Sequence, residues 1–310
     1  MTAVHSPFSR PHLLGIEDLT VAEIEDLLSH ADEFQDVKTV PHHAGKTVVN
    51  LFFENSTRTR ISFELAAKRL GAEVVNFDAA TSSAKKGETL EDTARTINAM
   101  GVEAIVIRHS EAGAAGKIAG LVDCAVINGG DGTNEHPTQA LLDAYTIREC
   151  KGRIEGLTIA ICGDILHSRV AHSNISLFRK FGVKIRLIAP PNLLPSNAEA
   201  LGAELFTDYA AGVADADVIM TQRIQLERMR ESDKPDIEKY QQAYRLDRAK
   251  LVLAKPDVIV MNPGPITRNL ELTDDIADDP KHSVILQQVR NGVAMRMAVL
   301  DRIMDAELLG

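Results

Sequence analysis

The chain has 310 residues, a length that suits two packed domains better than one. Hydrophobic residues make up 45% of it and charged residues 25%, a composition that excludes a largely disordered protein. The formal net charge of −10 argues against a basic surface for nucleic acid or for an anionic membrane.

Cysteine spacing and the first residues predict a reducing environment. Cys124, Cys150 and Cys162 form no CxxC pair, so neither a disulfide framework nor a zinc site is indicated. Residues 1–12 lack the apolar stretch of a signal peptide, and no apolar run is long enough to span a membrane. We therefore expect a cytoplasmic protein.

The predicted elements are a first helix and then short apolar strands that alternate with helices. The first helix follows a capping box from Thr20 to Glu23. In the first half, strands are predicted over 47–53, 73–77, 104–107 and 125–128, and helices over 57–70, 88–100 and 137–149. In the second half, strands are predicted over 158–162, 184–189, 217–221 and 258–261, before a long helix over 284–309.

This alternation predicts an α/β fold of two doubly wound domains with parallel central sheets, joined by interdomain helices. We expect a first domain over residues 1–150 and a second over 151–285. The last helix, residues 286–310, is expected to return to the first domain. Ligands of such sheets bind beyond the carboxyl ends of the strands, so the residues that follow each strand are the candidates for a site.

The segment after the first predicted strand carries the strongest signal for a ligand. Ser56-Thr57-Arg58-Thr59-Arg60 opens a helix, where free backbone N–H groups and the positive dipole end favour an anion. Arg58 can clamp a phosphate with two hydrogen bonds. The alternative is a well-capped helix with solvated arginines, although two arginines in a first turn oppose the dipole unless an anion is present.

Other candidates are ambiguous when they are considered alone. His136 precedes the first residue of a predicted helix, where a neutral imidazole can polarise a carbonyl oxygen or can serve only as a helix cap. The segment 81–88, with Lys85 and Lys86, is typical of a solvated surface loop.

Motifs for metals and cofactors are incomplete. The His42-His43 pair and the His167/His172 pair lack a third ligand at useful spacing. Gly163 lacks the companion glycines of a dinucleotide-binding loop. We therefore expect neither a metal ion nor a cofactor.

Four segments taken together resemble one family. They are FENSTRTR at 53–60, KKGE at 85–88, HPTQ at 136–139 and NPGP at 262–265. In this order they are similar to the aspartate carbamoyltransferase family, and the resemblance covers nearly the whole chain from about residue 14. The STRTR and HPTQ segments are typical of carbamoyltransferases in general, whereas KKGE and NPGP indicate the aspartate branch. The family often has His at the position of Asn262.

The resemblance implies transfer of the carbamoyl group of carbamoyl phosphate to the α-amine of L-aspartate, in de novo pyrimidine biosynthesis. The carbamoyl phosphate site that it implies comprises Ser56, Thr57, Arg58, Thr59, Ser82, Arg108, His136, Gln139, Pro263 and Gly264. The aspartate site that it implies comprises Lys86, Arg169, Arg223 and Gln225. The implied catalytic groups are Arg58, Thr59, Lys86, Arg108 and His136. No metal or cofactor is needed, because phosphate is a good leaving group.

The resemblance also implies a homotrimer with shared active sites, in which Ser82 and Lys86 come from the adjacent chain. This replaces the interpretation of residues 81–88 as an ordinary surface loop, and it leaves open whether separate regulatory chains bind. One alternative is a carbamoyltransferase for another amine acceptor, but Arg223 would repel the cationic side chain of ornithine. The other is an inactive binding homologue, although such chains tend to lose the phosphate-binding or lysine residues that are present here.

Overall fold

A computed structural model describes residues 7–78, 87–196 and 200–306. The chain divides into two compact units. The first contains the described residues up to Leu142 and those from Val289 onward, and the second is Asp143–Gln288.

The first unit is built on a five-stranded parallel sheet in the order β1-β5-β4-β2-β3. Its strands are β1 (His12–Leu13), β2 (Thr47–Phe52), β3 (Glu73–Asp78), β4 (Ala104–His109) and β5 (Ala125–Asp131). Its helices include α1 (Val21–Glu33), α2 (Thr57–Arg69), α3 (Leu90–Asn98) and α4 (Ala114–Ala119).

The second unit has a parallel sheet of the same size in the order β10-β9-β6-β7-β8. Its strands are β6 (Thr158–Gly163), β7 (Lys184–Ile188), β8 (Ala203–Phe206), β9 (Val218–Gln222) and β10 (Ile259–Met261). Its helices include α6 (Arg169–Lys180), α7 (Tyr209–Val213), α8 (Ile237–Tyr244), α9 (Arg248–Leu251) and α10 (Asp274–Ala277). Two longer helices, α5 (Pro137–Lys151) and α11 (Ile285–Asp305), each have residues in both units.

Burial explains why the strands are almost continuously apolar. Every residue of β2 after Thr47 is buried, and so is every residue of β9. Parallel strands covered by helices on both faces lack the alternation of apolar and polar residues that marks a half-exposed strand. Among the described helices, none combines the length and the apolar composition that crossing a membrane requires.

Both sheets reverse their winding direction beside their central strand. In the first unit the chain passes from β2 outward to β3 and then returns to β4 on the other side of β2. In the second unit it passes from β6 to β7 and β8 and then returns to β9 on the other side of β6. A reversal of this kind opens a crevice at the carboxyl ends of the two strands, where ligands of such folds bind.

The predicted α/β fold with two parallel sheets is confirmed, with differences at the ends of elements. Strand β4 continues to His109, two residues beyond the prediction, because Arg108 still pairs with Phe52 of β2 and His109 pairs with Asp131 of β5. Arg108 therefore lies within a strand and not after it. Two strands were not predicted: β1, which has only two residues, and β8, a short edge strand with exposed positions. Helix α11 ends at Asp305, within the predicted 284–309.

Candidate active site

The carboxyl end of β2 leads directly into the N-terminus of α2. Ser56 is the N-cap residue with extended backbone angles, and its hydroxyl makes no capping hydrogen bond. The first turn contains no acidic side chain. Thr57 and Arg58 are exposed, whereas Thr59 is buried. The positive end of this 13-residue helix is therefore not neutralised from its own first turn, which suits an anion.

Arg108 occupies the end of the neighbouring strand β4. Its Nη1 donates to the carbonyl oxygen of Gly129 at 3.3 Å, and its Nε lies 3.4 Å from the carboxylate of Glu54. These contacts tie the guanidinium to residues after β2 and within β5. The side chain is 15% exposed, so most of its charge lies away from bulk water.

A buried carboxylate organises the loop between β5 and α5. Asp131 accepts hydrogen bonds from Asn128 Nδ2 at 2.8 Å and from the backbone N–H of Glu135 at 3.0 Å. It also accepts from the backbone N–H of Gly113 at 2.6 Å. The loop that Asp131 holds leads to His136, directly before the start of α5. The side chain of His136 is buried.

The first turn of α5 carries both remaining candidates of the first unit. The backbone carbonyl of His136 accepts from the N–H of Gln139 at 3.0 Å, and both side chains are buried. Because β2, β4 and β5 are adjacent in the sheet, their carboxyl ends lie together. The structure thus gathers one set of predicted residues at a single sheet edge: Ser56, Thr57, Arg58, Thr59, Arg108, His136 and Gln139.

The equivalent edge of the second unit is organised by Asp164, directly after β6. Its carboxylate accepts from the backbone N–H of His167 at 3.1 Å and from that of Gln225 at 3.0 Å. Gly163, just before it, has a φ of +118°, and a Cβ there would lie 2.3 Å from the carbonyl oxygen of Gln222. Only glycine allows β6 and β9 to approach so closely at this point.

Arg223 follows β9 and is hydrogen-bonded to two residues that come shortly after it in the chain. Its guanidinium donates to both carboxylate oxygens of Glu227 and to Gln225 Oε1 at 2.9 Å. Burial by itself would raise the pKa of Glu227, but hydrogen bonds from Arg223 and from the backbone, together with the charges of Arg223 and Arg228, lower that pKa. These contacts fix the guanidinium of Arg223, and 28% of its side chain is exposed.

Arg169 is the second cation of this edge. It is the first residue of α6 and is buried. The preceding residue, Ser168, caps the helix by accepting from the N–H of Ala171, and its hydroxyl donates to Gln222 Oε1 at 3.0 Å. The start of α6 is thus fixed to the end of β9.

Asn262 shapes the loop after β10. Its Nδ2 donates to Thr221 Oγ1 at 2.8 Å, and its Oδ1 accepts from the N–H of Gly264 at 2.7 Å. Its own N–H donates to Gln288 Oε1 at 3.1 Å. The half-buried Pro263 and Gly264 are therefore held in one conformation beside β9.

Family models match both halves of the chain. Residues 11–149 match the model of the aspartate/ornithine carbamoyltransferase carbamoyl-P binding domain. Residues 155–303 match the model of the aspartate/ornithine carbamoyltransferase Asp/Orn binding domain. Both descriptions name aspartate and ornithine together, so they leave the branch open.

Sequence identity to curated relatives decides between the branches. The chain is 55% identical over 299 residues to the aspartate carbamoyltransferase catalytic subunit of Granulibacter bethesdensis, with 95% of each chain covered. It is 52% identical over 307 residues to the same subunit of Rhodospirillum rubrum, with 97% of this chain and 96% of that one covered.

The chain belongs to the aspartate carbamoyltransferase family.

Solved structures of this family and of its ornithine branch share the fold. Aspartate transcarbamoylase of Trypanosoma cruzi in complex with carbamoyl aspartate and phosphate is 34% identical, with a TM-score of 0.86 over 96% of this chain and 98% of that one. Ornithine carbamoyltransferase of Pyrococcus furiosus is 32% identical, with a TM-score of 0.85 over 97% of this chain and 99% of that one. The backbone fold therefore does not distinguish an enzyme that uses aspartate from one that uses ornithine. Side chains such as Arg223 are needed to infer the acceptor.

Two residues expected from the resemblance to aspartate carbamoyltransferases, Ser82 and Lys86, lie outside the described residues. Three acidic residues that contact the candidate residues or their loops were not predicted: Glu54, Asp131 and Glu227. The spacing of Arg223 and Glu227, four residues apart, is a signal that a search for local ion pairs would have found. No local pattern marks Glu54 as a partner of Arg108, because they meet only through strand pairing.

Proposed function

We propose that this protein transfers the carbamoyl group of carbamoyl phosphate to the α-amine of L-aspartate, giving N-carbamoyl-L-aspartate and phosphate. The reaction belongs to de novo pyrimidine biosynthesis. The observation that carries the proposal is a pair of cationic sheet edges, one in each unit of an acidic chain, at equivalent reversals of strand order. Each edge suits one of two anionic substrates. Membership of the aspartate carbamoyltransferase family supports the same reaction.

Carbamoyl phosphate is assigned to the first unit, and we propose a carbamoyl phosphate-binding domain over residues 1–150. The N-terminus of α2, with Ser56, Thr57 and Arg58, binds the phosphate. Three further side chains act on the carbamoyl group: Arg108 bridges the phosphate and the carbonyl oxygen, and Thr59 and His136 complete the polarisation of that oxygen. The carbamoyl NH₂ is held by Gln139 and by the carbonyl groups of Pro263 and Gly264.

Aspartate is assigned to the second unit, and we propose an aspartate-binding domain over residues 151–285. Arg169 and Arg223 bind its two carboxylates, and Gln225 orients the acceptor through hydrogen bonds. Arg223 now pairs with Glu227, so the acceptor carboxylate joins or replaces that contact. The pairing keeps the arginine in place in the absence of substrate.

The chemistry requires orientation and charge stabilisation. The neutral α-amine attacks the carbonyl carbon, a C–N bond forms, and the C–O bond to phosphate breaks. The departing phosphate accepts the proton that the amine loses. Negative charge develops on the carbonyl oxygen and on the phosphate, where Arg58, Arg108 and neutral His136 stabilise it.

We further propose a homotrimer in which Ser82 and Lys86 of one chain complete the site of the adjacent chain. The support is the KKGE segment at 85–88, which the chain shares with the aspartate branch. Lys86 then adds a positive charge beside both substrates. Regulatory chains are not required for this arrangement.

A colorimetric assay for carbamoyl-aspartate, with L-ornithine as a parallel acceptor, tests the reaction. We expect product with L-aspartate and none with L-ornithine, because Arg223 repels a cationic side chain. Product with ornithine alone would establish the other acceptor class. A purified, folded protein that turns over neither acceptor would establish the inactive homologue.

A further inference from the structure

A series of buried hydrogen bonds joins the loop after β10 to three helices. The backbone N–H of Asn262 donates to Gln288 Oε1 at 3.1 Å, and Gln288 Nε2 donates to Asp143 Oδ1 at 2.6 Å. The other carboxylate oxygen of Asp143 accepts from Asn174 Nδ2 at 2.8 Å. All four residues belong to the second unit, and none is more than 2% exposed. The series therefore runs from the loop through α11 and α5 to α6, away from bulk water.

The side-chain amide of Gln288 can adopt only one orientation in this series. A backbone N–H can only donate, so Gln288 turns its oxygen towards Asn262. Its NH₂ group then points at Asp143 and requires an acceptor, which the carboxylate supplies. The hydrogen bonds are therefore directional, and a carboxyl in place of the amide would remove one of them.

Gln288 is one of two side chains that hold the peptide group between Met261 and Asn262. Its oxygen accepts from the N–H of this peptide, and the carbonyl oxygen of the same peptide accepts from Thr221 Oγ1 at 3.2 Å. Loss of the Gln288 contact would leave a buried N–H without its acceptor, which costs the full desolvation penalty of that group. We therefore expect the peptide to move when Gln288 is changed.

Asn262 also positions the two residues that follow it. Its Oδ1 accepts from the N–H of Gly264 at 2.7 Å. In a trans peptide the N–H and the C=O point in opposite directions, so this hydrogen bond also sets the direction of the Pro263 carbonyl group. Pro265 has no N–H, so the next peptide presents only the carbonyl oxygen of Gly264. The loop thus carries two carbonyl acceptors, and Asn262 sets the direction of the first.

We propose that Gln288 and Asp143 are positioning residues that make the site select an NH₂ group on the group that it transfers. The inference rests on the proposed function, in which the carbonyl groups of Pro263 and Gly264 hold the carbamoyl NH₂. An NH₂ group satisfies these acceptors, whereas a methyl group in its place leaves them without a partner. The site therefore prefers carbamoyl phosphate to an acyl phosphate such as acetyl phosphate, which has CH₃ instead of NH₂. Both positioning residues act through Asn262 and not by contact with the substrate.

Gln288→Glu is the deciding variant, because it keeps an oxygen for the N–H of Asn262 and removes the NH₂ group that faces Asp143. The introduced carboxyl and Asp143 keep a hydrogen bond only while they share a proton. We expect kcat/KM for carbamoyl phosphate to fall by about tenfold or more, and we expect the loss to grow as the pH rises. The inhibition constant of acetyl phosphate, measured against carbamoyl phosphate, should change little, because the contacts to phosphate and to the carbonyl oxygen remain.

Exchanging the two groups should restore the series. In Asp143→Asn/Gln288→Glu, the amide at position 143 donates to the carboxylate at position 288, and its oxygen still accepts from Asn174. We expect this double variant to recover most of kcat/KM and to lose the pH dependence of the single variant. Coupling of this kind between two substitutions is expected of residues in one hydrogen-bond network.

The matched control is Gln287→Glu, at the preceding position of α11. Gln287 Nε2 donates to Glu149 Oε2 at 2.7 Å, so this variant also sets two carboxyl groups against each other. Gln287 is less buried than Gln288, and the change leaves the contact between Gln288 and Asn262 in place. Its kinetics and pH profile should therefore match those of the unmodified protein.

Equal losses for carbamoyl phosphate and acetyl phosphate in Gln288→Glu would overturn the inference, because the loop would then support the whole site. Matching kinetics for Gln288→Glu and Gln287→Glu would overturn it as well. If Gln288→Glu does not fold, Gln288→Met replaces it and should show the same selective loss without the pH dependence. Turnover by the unmodified protein tests the proposed reaction, whereas the comparison of variants tests the inference, so the two failures are distinguishable.

Discussion

At the residue scale, one of the two arginines proposed for the acceptor edge, Arg223, is already paired within the protein. Arg223 contacts Glu227 and Gln225 in the structure. In the proposed complex it would exchange part of this pairing for a substrate carboxylate. The contribution of Arg223 to aspartate binding can be measured by substituting the arginine.

Arg223→Ala should raise the KM for aspartate and lower kcat, while the affinity for carbamoyl phosphate stays nearly unchanged. Loss of a charge-assisted contact to a desolvated carboxylate costs roughly 2–5 kcal/mol. Steady-state kinetics with each substrate varied in turn gives the measurement. Arg248→Ala, which removes a half-exposed arginine paired with Asp275 and Asp279, is the control. Unchanged aspartate kinetics would remove Arg223 from the acceptor site.

A buried carboxyl in the same unit makes stability depend on pH. Burial raises the pKa of Glu271 from 4.5 to about 7, although its Oε2 accepts a hydrogen bond from the N–H of Thr267 at 2.9 Å. A raised pKa means that the folded state binds the proton more tightly than the unfolded state. This contribution to stability is fully present below pH ~4.5 and is lost as the pH rises through ~7.

Glu271→Gln should therefore flatten the decline in unfolding free energy between pH ~4.5 and ~7. The largest difference from the unmodified protein is about 3 kcal/mol, from the size of the pKa shift. Glutamine keeps an oxygen for the N–H of Thr267 but does not titrate. Urea unfolding at several pH values gives the comparison, with the exposed Glu238→Gln as control. Parallel pH profiles for all three proteins would contradict the assignment.

At the element scale, strand pairing at the carboxyl end of β6 determines where the second unit's candidate residues lie. Gly163 pairs with Gln222 of β9, and the next residue, Asp164, holds the backbone of Gln225. A side chain at Gly163 would push β6 and β9 apart directly before Arg223.

Gly163→Ala should destabilise the protein by clearly more than Gly182→Ala and should raise the KM for aspartate. Both glycines have positive φ, at +118° and +62°, but an added Cβ meets open space only at Gly182. The control gives the cost of a left-handed helical backbone without a clash, about 1–2 kcal/mol, and the larger loss at Gly163 adds its less favourable φ and the clash with Gln222. Denaturant unfolding and aspartate kinetics provide the two readouts. Equal destabilisation by the two changes would show that β6 and β9 can move apart without loss of stability.

At the scale of the whole molecule, the proposed trimer has a distinctive consequence for mixed assemblies. Arg58→Ala and Lys86→Ala homotrimers should each be nearly inactive. In a mixed trimer, a chain with intact Arg58 can lie beside a neighbour with intact Lys86. Random reassembly from equal amounts should restore about a quarter of all sites, which is half for the right chain times half for the right neighbour.

Unfolding the two inactive variants, reassembling them together and measuring turnover tests this sharing of sites. Each variant reassembled alone is the control, since neither should recover activity. If mixed trimers form normally and stay inactive, Lys86 acts within its own chain or takes no part.

Local features were predictable because they depend on neighbouring residues. Thr20 and Glu23 form the predicted capping box, and Gly71 and Gly101 follow α2 and α3 with positive φ. The start of a helix at residues 56–60, without an acidic side chain in its first turn, was also predictable from the sequence. Each of these features rests on backbone geometry and charge within a single turn, which residue type largely controls.

The sequence by itself determined the alternation of strands and helices, and with it the parallel α/β fold. Only the tertiary structure decided which strands lie side by side, and therefore that Arg108 meets Glu54 and that Asp164 holds Gln225. It also decided that His43 and Asp301 meet across 258 positions of the chain. Periodicity reports which face of an element is buried, whereas the partner of a buried polar group depends on how whole elements pack.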